Sequence, residues 1–269
     1  MRIVRFQGGL GNQMFQYAFY EALKFHQKGI VLADIRAYKF NPCHNGFEIH
    51  SIFNSQLDYS ISSYTWYKIL NYITGRKLYI QDKQVGKFDS SYLEKKNAIY
   101  DGFWQTEKYF LPVENKIRKI FQFNTSLNDL NKEILEKIQL TDSVSIHVRR
   151  GDYLEFSCAL DKNYYYQALN YLESKIKSAT FFIFSDDILW CKEHLNFQNS
   201  YYIDWNSGAE SYIDMQLMSS CKHNVIANSS FSWWGAWLNK NPDKIVIAPQ
   251  KWFNAMGEPD IIPESWIKI

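Results

Sequence analysis

Hydrophobic and polar positions follow three different rhythms along the chain. The start is regular. "IVRF" at 3–6 is a short apolar run, "QGGLG" punctuates it, and "QMFQYAFYEALKFH" reads as a helix capped by Asn12. "GIVLADI" at 29–35 predicts a second strand, which completes a β-α-β opening. From 41 to 110 the pattern turns irregular and aromatic. There "SSYTWYKILNYI" is a candidate helix, and "AIYDGFWQTEKYFLP" combines a short strand with a tight aromatic segment. The helical stretch "NDLNKEILEKIQL", rich in Lys and Glu, ends near 140 and marks a domain boundary.

The remainder is regular again. "SVSIHV" at 143–148 alternates, and "DKNYYYQALNYLESKI" carries helical spacing through Tyr165, Leu169, Leu172 and Ile176. "ATFFIFSDD" is a nearly continuous apolar run, as expected of a strand buried on both faces. "SYYIDW" follows, Ser207 and Glu210 form a candidate capping box for "ESYIDMQLMSSC", and "NVIANSS" leads into "FSWWGAWLN" before a last strand, "KIVIAPQKW". Short strands alternating with helices predict an α/β architecture with a largely parallel sheet. Two such sets around an irregular middle suggest two Rossmann-like lobes facing a cleft, residues 1–140 and 141–269, with the final residues free to pack back on the first lobe. One doubly wound domain with a long insertion is the alternative.

Composition narrows the class. Of 269 residues 46% are apolar and 22% charged, with 12 Gly and 6 Pro, which excludes a disordered or collagenous chain. Aromatic residues reach 17%, and Tyr and Trp suit both a core and a carbohydrate-facing surface. A net charge of +2 without a basic run argues against nucleic acid as partner. Cys43, Cys158, Cys191 and Cys221 are too dispersed for a C-x-x-C unit and read as reduced, mostly buried thiols of a cytoplasmic protein. The opening lacks the apolar core of a signal peptide, and no run of 18 apolar residues follows. Peripheral attachment to the cytoplasmic face of the inner membrane stays open, as does homo-oligomerisation.

The chemistry concentrates in "HVRRGD". In an extended 143–149, Val144, Ile146 and Val148 share one face while His147 and Arg149 share the other. Arg149 is therefore the ligand candidate, because a planar guanidinium can hold two phosphate oxygens at once. Arg150 points away, to orient the loop or pair with Asp152. Ligands of open α/β sheets sit beyond the carboxyl ends of the strands, where these residues fall. The plainer alternative is a structural ion network of Arg149, Arg150, Asp152 and Glu155. Asn228, Ser229, Ser230 and Ser232 lie between a strand and a helix, where hydroxyls and free N–H groups form an anion site; simple capping would need only one of them. Trp233 and Trp237 share a helical face, which favours core packing, and Gly235 and Ala236 allow close approach of another element.

"GGLGNQ" departs from a dinucleotide fingerprint, since Met14 stands where the third glycine belongs, and lacks the Lys of a P-loop. Its N–H groups can still face a sugar or phosphate; a plain turn is the alternative. With no D-x-D pair and no H-E-x-x-H, nothing points to a metal, and no G-x-S-x-G elbow marks a hydrolase. Without a divalent ion, cations and N–H donors must take the charge of a departing diphosphate, as in a metal-independent nucleotide-sugar transferase.

Five segments in order, "GGLGNQMFQYAF", "DGFWQTEKYF", "HVRRGDY", "FSDDILWCK" and "SYIDMQLMSSCKHNVIANSSFSWWGAWLN", resemble the bacterial alpha-1,2-fucosyltransferases over nearly the whole chain. The resemblance implies a GT-B fold, GDP-L-fucose as donor substrate, no cofactor, and inversion at the fucose anomeric carbon. The implied acceptor is a terminal galactose of an oligosaccharide or lipid-linked glycan such as an O-antigen repeat, fucosylated on its 2-hydroxyl. Carried over by motif, Arg149 holds the GDP phosphates and His147 lies near the guanosine. Asp214 matches in spacing an acidic residue that reads the guanine edge, with a solvent-facing helical aspartate as the plainer reading. Ser230, Phe231 and Ser232 match a turn contacting phosphate and ribose or base, beside Asn228 and Ser229. Gly9, Gly11 and Asn12 match an N-terminal loop directed at the fucose and diphosphate. For the general base the resemblance favours Glu155; Asp152, and with less support Asp34, are alternatives. A different linkage, alpha-1,6 or protein-directed, and a catalytically silent glycan-binding protein are the competing readings.

Overall fold

The computed structural model describes residues 1–40, 44–59, 65, 69, 71–73, 75, 78–83, 85–252 and 260–269. Two compact units share the chain. The first is Met1–Asn124 with Pro259–Pro263, the second Thr125–Glu258 with Glu264–Ile269.

In the first unit, β1 (Arg2–Arg5) leads through Gly8 and Gly9 into α1 (Leu10–His26), and β2 (Val31–Asp34) follows. Helix α1 is buried on nearly every side from Leu10 to Leu23, so it serves as the core helix of its sheet. The fully buried Arg2 ends it, donating to Leu23 O and Gln27 O at 2.8 Å each and satisfying carbonyls that lack a helical partner. After short helices α2 (Ala37–Phe40) and α3 (Ile49–Ile52) come β3 (Tyr79–Gln81), β4 (Ala98–Asp101) and α4 (Glu114–Ile120). The four strands are parallel in the order β2-β1-β4-β3.

The aromatic segment after β4 closes this core. Trp104 stacks on Phe19 with ring centroids 4.5 Å apart and meets Tyr92, Tyr100 and Tyr109 edge-on. The expected helix over "SSYTWYKILNYI" falls largely outside the described residues, as does Cys43. Cys191 and Cys221 are buried free thiols, and Cys158 is half-buried.

The division between units falls ahead of α5 (Asp129–Leu140), because the buried face of that helix, Asn131, Ile134 and Ile138, belongs to the second core. There β5 (Asp142–Val148), α6 (Gly151–Glu155), α7 (Lys162–Glu173), β6 (Ala179–Ser185), α8 (Ile188–His194) and β7 (Ser200–Ile203) lead to α9 (Tyr212–Ser220), β8 (His223–Val225), α10 (Ser230–Leu238), β9 (Val246–Ala248) and β10 (Ile267–Lys268). The six strands are parallel in the order β10-β9-β8-β5-β6-β7. Val144, Ile146 and Val148 pack with Leu169, Leu172, Phe181 and Ile183 on one face of the sheet. Trp233, Trp234 and Trp237 are core residues, and a Cβ on Gly235 would lie 3.1 Å from Met218 Cβ, so the glycine permits close packing of α10 on α9.

Two capping expectations are corrected. Gly9, not Asn12, precedes α1, and Asn12 sits inside the first turn, its Oδ1 accepting from Gln105 Nε2 at 2.7 Å. The Ser207–Glu210 capping box does not form. A 3₁₀ turn, Gly208–Glu210, occupies that stretch, without a hydrogen bond to the Ser207 side chain, and α9 starts after it. Among the described residues no helix is long and apolar enough to cross a membrane.

Candidate functional site

In the second unit the chain runs from β5 outward through β6 and β7, then returns to the other side of β5 as β8. This reversal makes the carboxyl ends of β5 and β8 the switch point, where open α/β sheets bind ligands. Arg149 and Arg150 follow β5, and Asn228 to Ser232 follow β8.

The arginine pair is clamped by the next strand over. Register pairs Val148 with Ser185, so the residues just beyond, Arg149 and Asp186, emerge side by side. Arg149 Nη1 meets Asp186 Oδ2 at 2.9 Å and Nη2 meets Asp152 Oδ1 at 2.7 Å, with the guanidinium 5.5 Å above the Tyr153 ring. The Arg150 N–H donates to Asp186 Oδ1 at 2.8 Å. A Cβ on Gly151 would lie 2.8 Å from Asp186 Oδ2, which accounts for glycine in "RRGD". The expected Arg150–Asp152 pair is corrected: Arg150 Nε meets Asp187 Oδ2 at 3.1 Å and its guanidinium stacks 4.0 Å from the Trp190 ring centroid. The chain leaves strand geometry at Arg150, and that redirects its side chain toward α8. Asp186 and Asp187 were absent from the sequence-based candidates; their signal was a carboxylate pair ending the most apolar strand. The arginines and Asp152 thus do form an ion network, but Glu155 stands outside it, exposed and without an ion pair among the described residues.

His147 is buried at the end of β5, 5.8 Å from the Phe231 ring in α10. Burial draws its imidazole down to about 4, opposed by Asp186 and assisted by Arg149, so the ring is neutral near pH 7. Among the described residues its Nδ1 has no hydrogen-bond partner, nor does the buried Oδ1 of Asn228. A buried polar atom left unpaired is costly and marks a place where a ligand can complete the bonding. Much of the polar surplus in "NSSFS" is structural. Ser229 caps α10 by accepting from Phe231 N at 3.3 Å, and Ser232 is buried and donates to Ser229 O. Asn228 Nδ2 donates to Cys158 O at 3.0 Å. Ser230 and Phe231 remain half-exposed at a helix start whose first turn holds no acidic residue.

Asp214 lies in the first turn of α9, half-buried, and accepts from Asn206 Nδ2 at 2.7 Å. Burial pushes its carboxyl up to about 7 against the opposing Asn206 bond.

Gly9, Gly11 and Asn12 belong to the first unit. Gly8 is the loop's left-handed residue at φ 80°, and Gln13 and Tyr38 hold its carbonyl at 3.2 and 2.8 Å. Glycine spacing had singled out its neighbours instead. At the carboxyl ends of the strands here, Arg36 grips Asp34 through Nε and Nη2 at 2.7 and 2.8 Å, and Arg5 meets Asp101 at 2.8 Å. Burial pushes the Asp34 carboxyl up, but Arg36 and Arg5 together hold it below the usual range, which unsuits it to serve as a base. A cavity of about 370 Å³ lies off β3, lined by Asp82, Lys83, Lys87, Phe88, Asp89 and Tyr92. No group of three or more His, Cys, Asp or Glu suited to a metal ion occurs among the described residues.

A family model described as Glycosyl transferase family 11 matches residues 1–269. An alpha-1,2-colitosyltransferase of Escherichia coli is 37% identical, with 99% of this chain and 98% of the relative covered. The O-antigen biosynthesis glycosyltransferase WbnK of Escherichia coli is 33% identical over 97% and 98%. Galactoside alpha-(1,2)-fucosyltransferase 1 of Oryctolagus cuniculus is 26% identical over 66% of this chain and 53% of its own length. Among solved structures, the fucosyltransferase NodZ from Bradyrhizobium aligns with a TM-score of 0.52 at 15% identity, covering 87% of this chain and 91% of that one. At that identity the likeness concerns architecture, a GT-B-like fold of two Rossmann-like lobes.

Proposed function

The chain belongs to glycosyl transferase family 11, and on that premise we propose that it transfers L-fucose, with inversion, from GDP-L-fucose to the 2-hydroxyl of a terminal galactose without a metal ion. The observation that carries the reading is the pairing of a guanidinium fork with an acid-free helix start at one switch point. Arg149 and the α10 N-terminus both offer positive potential where negative charge must accumulate.

In the reaction the acceptor hydroxyl attacks the anomeric carbon on the face opposite the diphosphate. The new C–O bond forms as the bond to phosphate breaks, GDP leaves with the electron pair, and the hydroxyl proton passes to a base. Arg149 stabilises the charge growing on the leaving diphosphate, an interaction stronger in the transition state than in the ground state. Ser230, Phe231 and their N–H groups bind the same diphosphate, and His147 lies against the nucleoside. Glu155 is assigned the proton, because Asp152 is engaged by Arg149. The first unit is assigned the acceptor, and its cavity between Phe88 and Tyr92 suits a sugar ring. The name of the relative WbnK points to an O-antigen unit as that acceptor.

A second reading has its own support: the 37%-identical relative is a colitosyltransferase of the same linkage. Purified protein given GDP-fucose or a colitosyl donor, with terminal galactosides and with or without chelator, separates the two. Chelator-insensitive formation of a fucosyl-α1,2-galactose product, identified by NMR, is the expected outcome. Preference for the colitosyl donor replaces fucose in the reading, and a different linkage or donor hydrolysis alone overturns it.

A further inference from the structure

Asp214 is served by a chain of amides that begins on another helix. Asn128 caps α5, its Oδ1 accepting from the Asn131 backbone N–H and from Asn131 Nδ2, both at 3.0 Å. Asn131 is fully buried, and its Oδ1 accepts from Trp205 Nε1 at 3.1 Å. Asn131 and Asn206 then form a reciprocal amide pair, Asn131 Nδ2 to Asn206 Oδ1 at 2.8 Å and Asn206 Nδ2 to Asn131 Oδ1 at 3.0 Å. The second hydrogen of Asn206 Nδ2 goes to Asp214 Oδ1 at 2.7 Å.

The direction of this chain is fixed at both ends. An indole N–H only donates, so the Asn131 atom facing Trp205 must be oxygen; a backbone N–H only donates, so the Asn128 capping atom must be oxygen too. Neither amide can flip without setting donor against donor. Asn206 therefore presents its NH₂ to Asp214, and that carboxyl is held as an acceptor. Burial opposes ionisation and leaves the group near 7, a balance that a ligand with its own N–H donors would tip toward the carboxylate. Asp214 has no ion pair among the described residues, and the one side chain that shifts its carboxyl besides burial is Asn206.

We propose that Asn131 and Asn206 are positioning residues for the nucleobase: their relay fixes Asp214 as an acceptor, selecting a base that presents adjacent N–H donors. Guanine does so through N1–H and its 2-amino group; hypoxanthine keeps only N1–H, and adenine offers an acceptor at N1. The proposal rests on the donor-site reading above, and nucleotide binding tests it apart from sugar transfer.

Calorimetric titration of GDP and IDP into the wild type, Asn206→Leu, Asp214→Asn and the double variant, with melting curves as a folding control, is the experiment. Asn206→Leu should weaken GDP by about tenfold, the typical effect of losing a hydrogen bond to a charged group, and narrow the GDP-over-IDP preference. The double variant should bind no more weakly than Asp214→Asn, because the relay acts only through that carboxyl. In turnover, KM for the donor should rise while kcat holds. If Asn206→Leu does not fold, Trp205→Phe, which deletes one N–H, should reduce GDP affinity by about two- to fivefold. Wild-type affinity in the Asn206 or Trp205 variant, or losses that add in the double variant, overturns the relay alone. Wild-type affinity in Asp214→Asn overturns the relay and removes Asp214 from the guanine edge while leaving the Arg149–α10 diphosphate assignment standing; a wild type that binds no GDP overturns that assignment.

Discussion

Among the described residues, two arginine–aspartate clusters stand at the carboxyl ends of parallel strands, one in each unit, and of these two the second has the features of a ligand site. In the first, Arg36 holds Asp34 with both ends of its fork, the Asp34 side chain is 6% exposed, and Arg5 is engaged by Asp101 and Tyr79. Both carboxylates of that cluster, Asp34 and Asp101, are engaged by arginine. In the second, Arg149 is held from beneath by Asp186 but from outside by Asp152, whose side chain is 43% exposed and held by an ion pair that water screens. Beside it lie the unpartnered polar atoms of His147 and Asn228 and a helix start without acidic residues. Strand-end charge alone does not mark a site. A cation with one displaceable partner, next to unsatisfied buried groups, does.

The largest effect that could break this contrast comes from exchanging each arginine for lysine. Arg149→Lys keeps the charge but loses the fork, and transfer should fall by about 10²-fold or more with little change in melting temperature. Arg36→Lys should instead lower the melting temperature by about 2–4 °C and leave kcat/KM nearly intact. Reversal of these two outcomes would place the active cluster in the first unit.

The two carboxylates on Arg149 should differ next. In Asp186→Asn the Oδ1 can still accept from Arg150 N, but the new NH₂ faces the guanidinium, so transfer should drop by about 10- to 100-fold. Asp152→Asn should stay within about threefold, as expected for an exposed ion pair. A loss of about 10²-fold or more there would instead make Asp152 the general base in place of Glu155.

An effect of about tenfold is expected in the pH dependence. Reading guanine requires ionised Asp214, whose folded-state value is about 7, so affinity for GDP-fucose should rise with pH. Between pH 6 and 8 the increase should be about tenfold in the wild type and absent in Asp214→Asn. The donor's diphosphate, blocked by the sugar, does not titrate in that window, and His147, near 4, stays neutral throughout. The same raised value has the opposite sign for folding: stability from protonated Asp214 is full at acid pH and is lost as pH climbs through about 7.

Local patterns carried most of the fold. The alternation in "SVSIHV", the apolar run "ATFFIFS" and the tryptophan helix all form the elements their periodicities predict. Long-range pairing was not legible. Asp186 reaches Arg149 through the register of β5 on β6, and Asn131 reaches Asn206 across 75 residues of sequence. No spacing rule carries such information. Asn12 and Ser207 failed as caps because a polar residue near a helix start is equally free to bond elsewhere; Asn12 accepts from Gln105 instead. Within the five segments resembling the fucosyltransferases, "FSDDILWCK" held the arginine clamp, yet its aspartates acquire a role only once the two strands lie side by side.

A crystal structure with GDP-fucose, or with an unreactive analogue, tests the central assignment most directly. The account predicts the diphosphate within hydrogen-bonding distance of Arg149 and of the N–H groups opening α10, with the Asp152 carboxylate displaced and Asp186 still in place. A diphosphate bound elsewhere, with Arg149 still clamped by both aspartates, would contradict it.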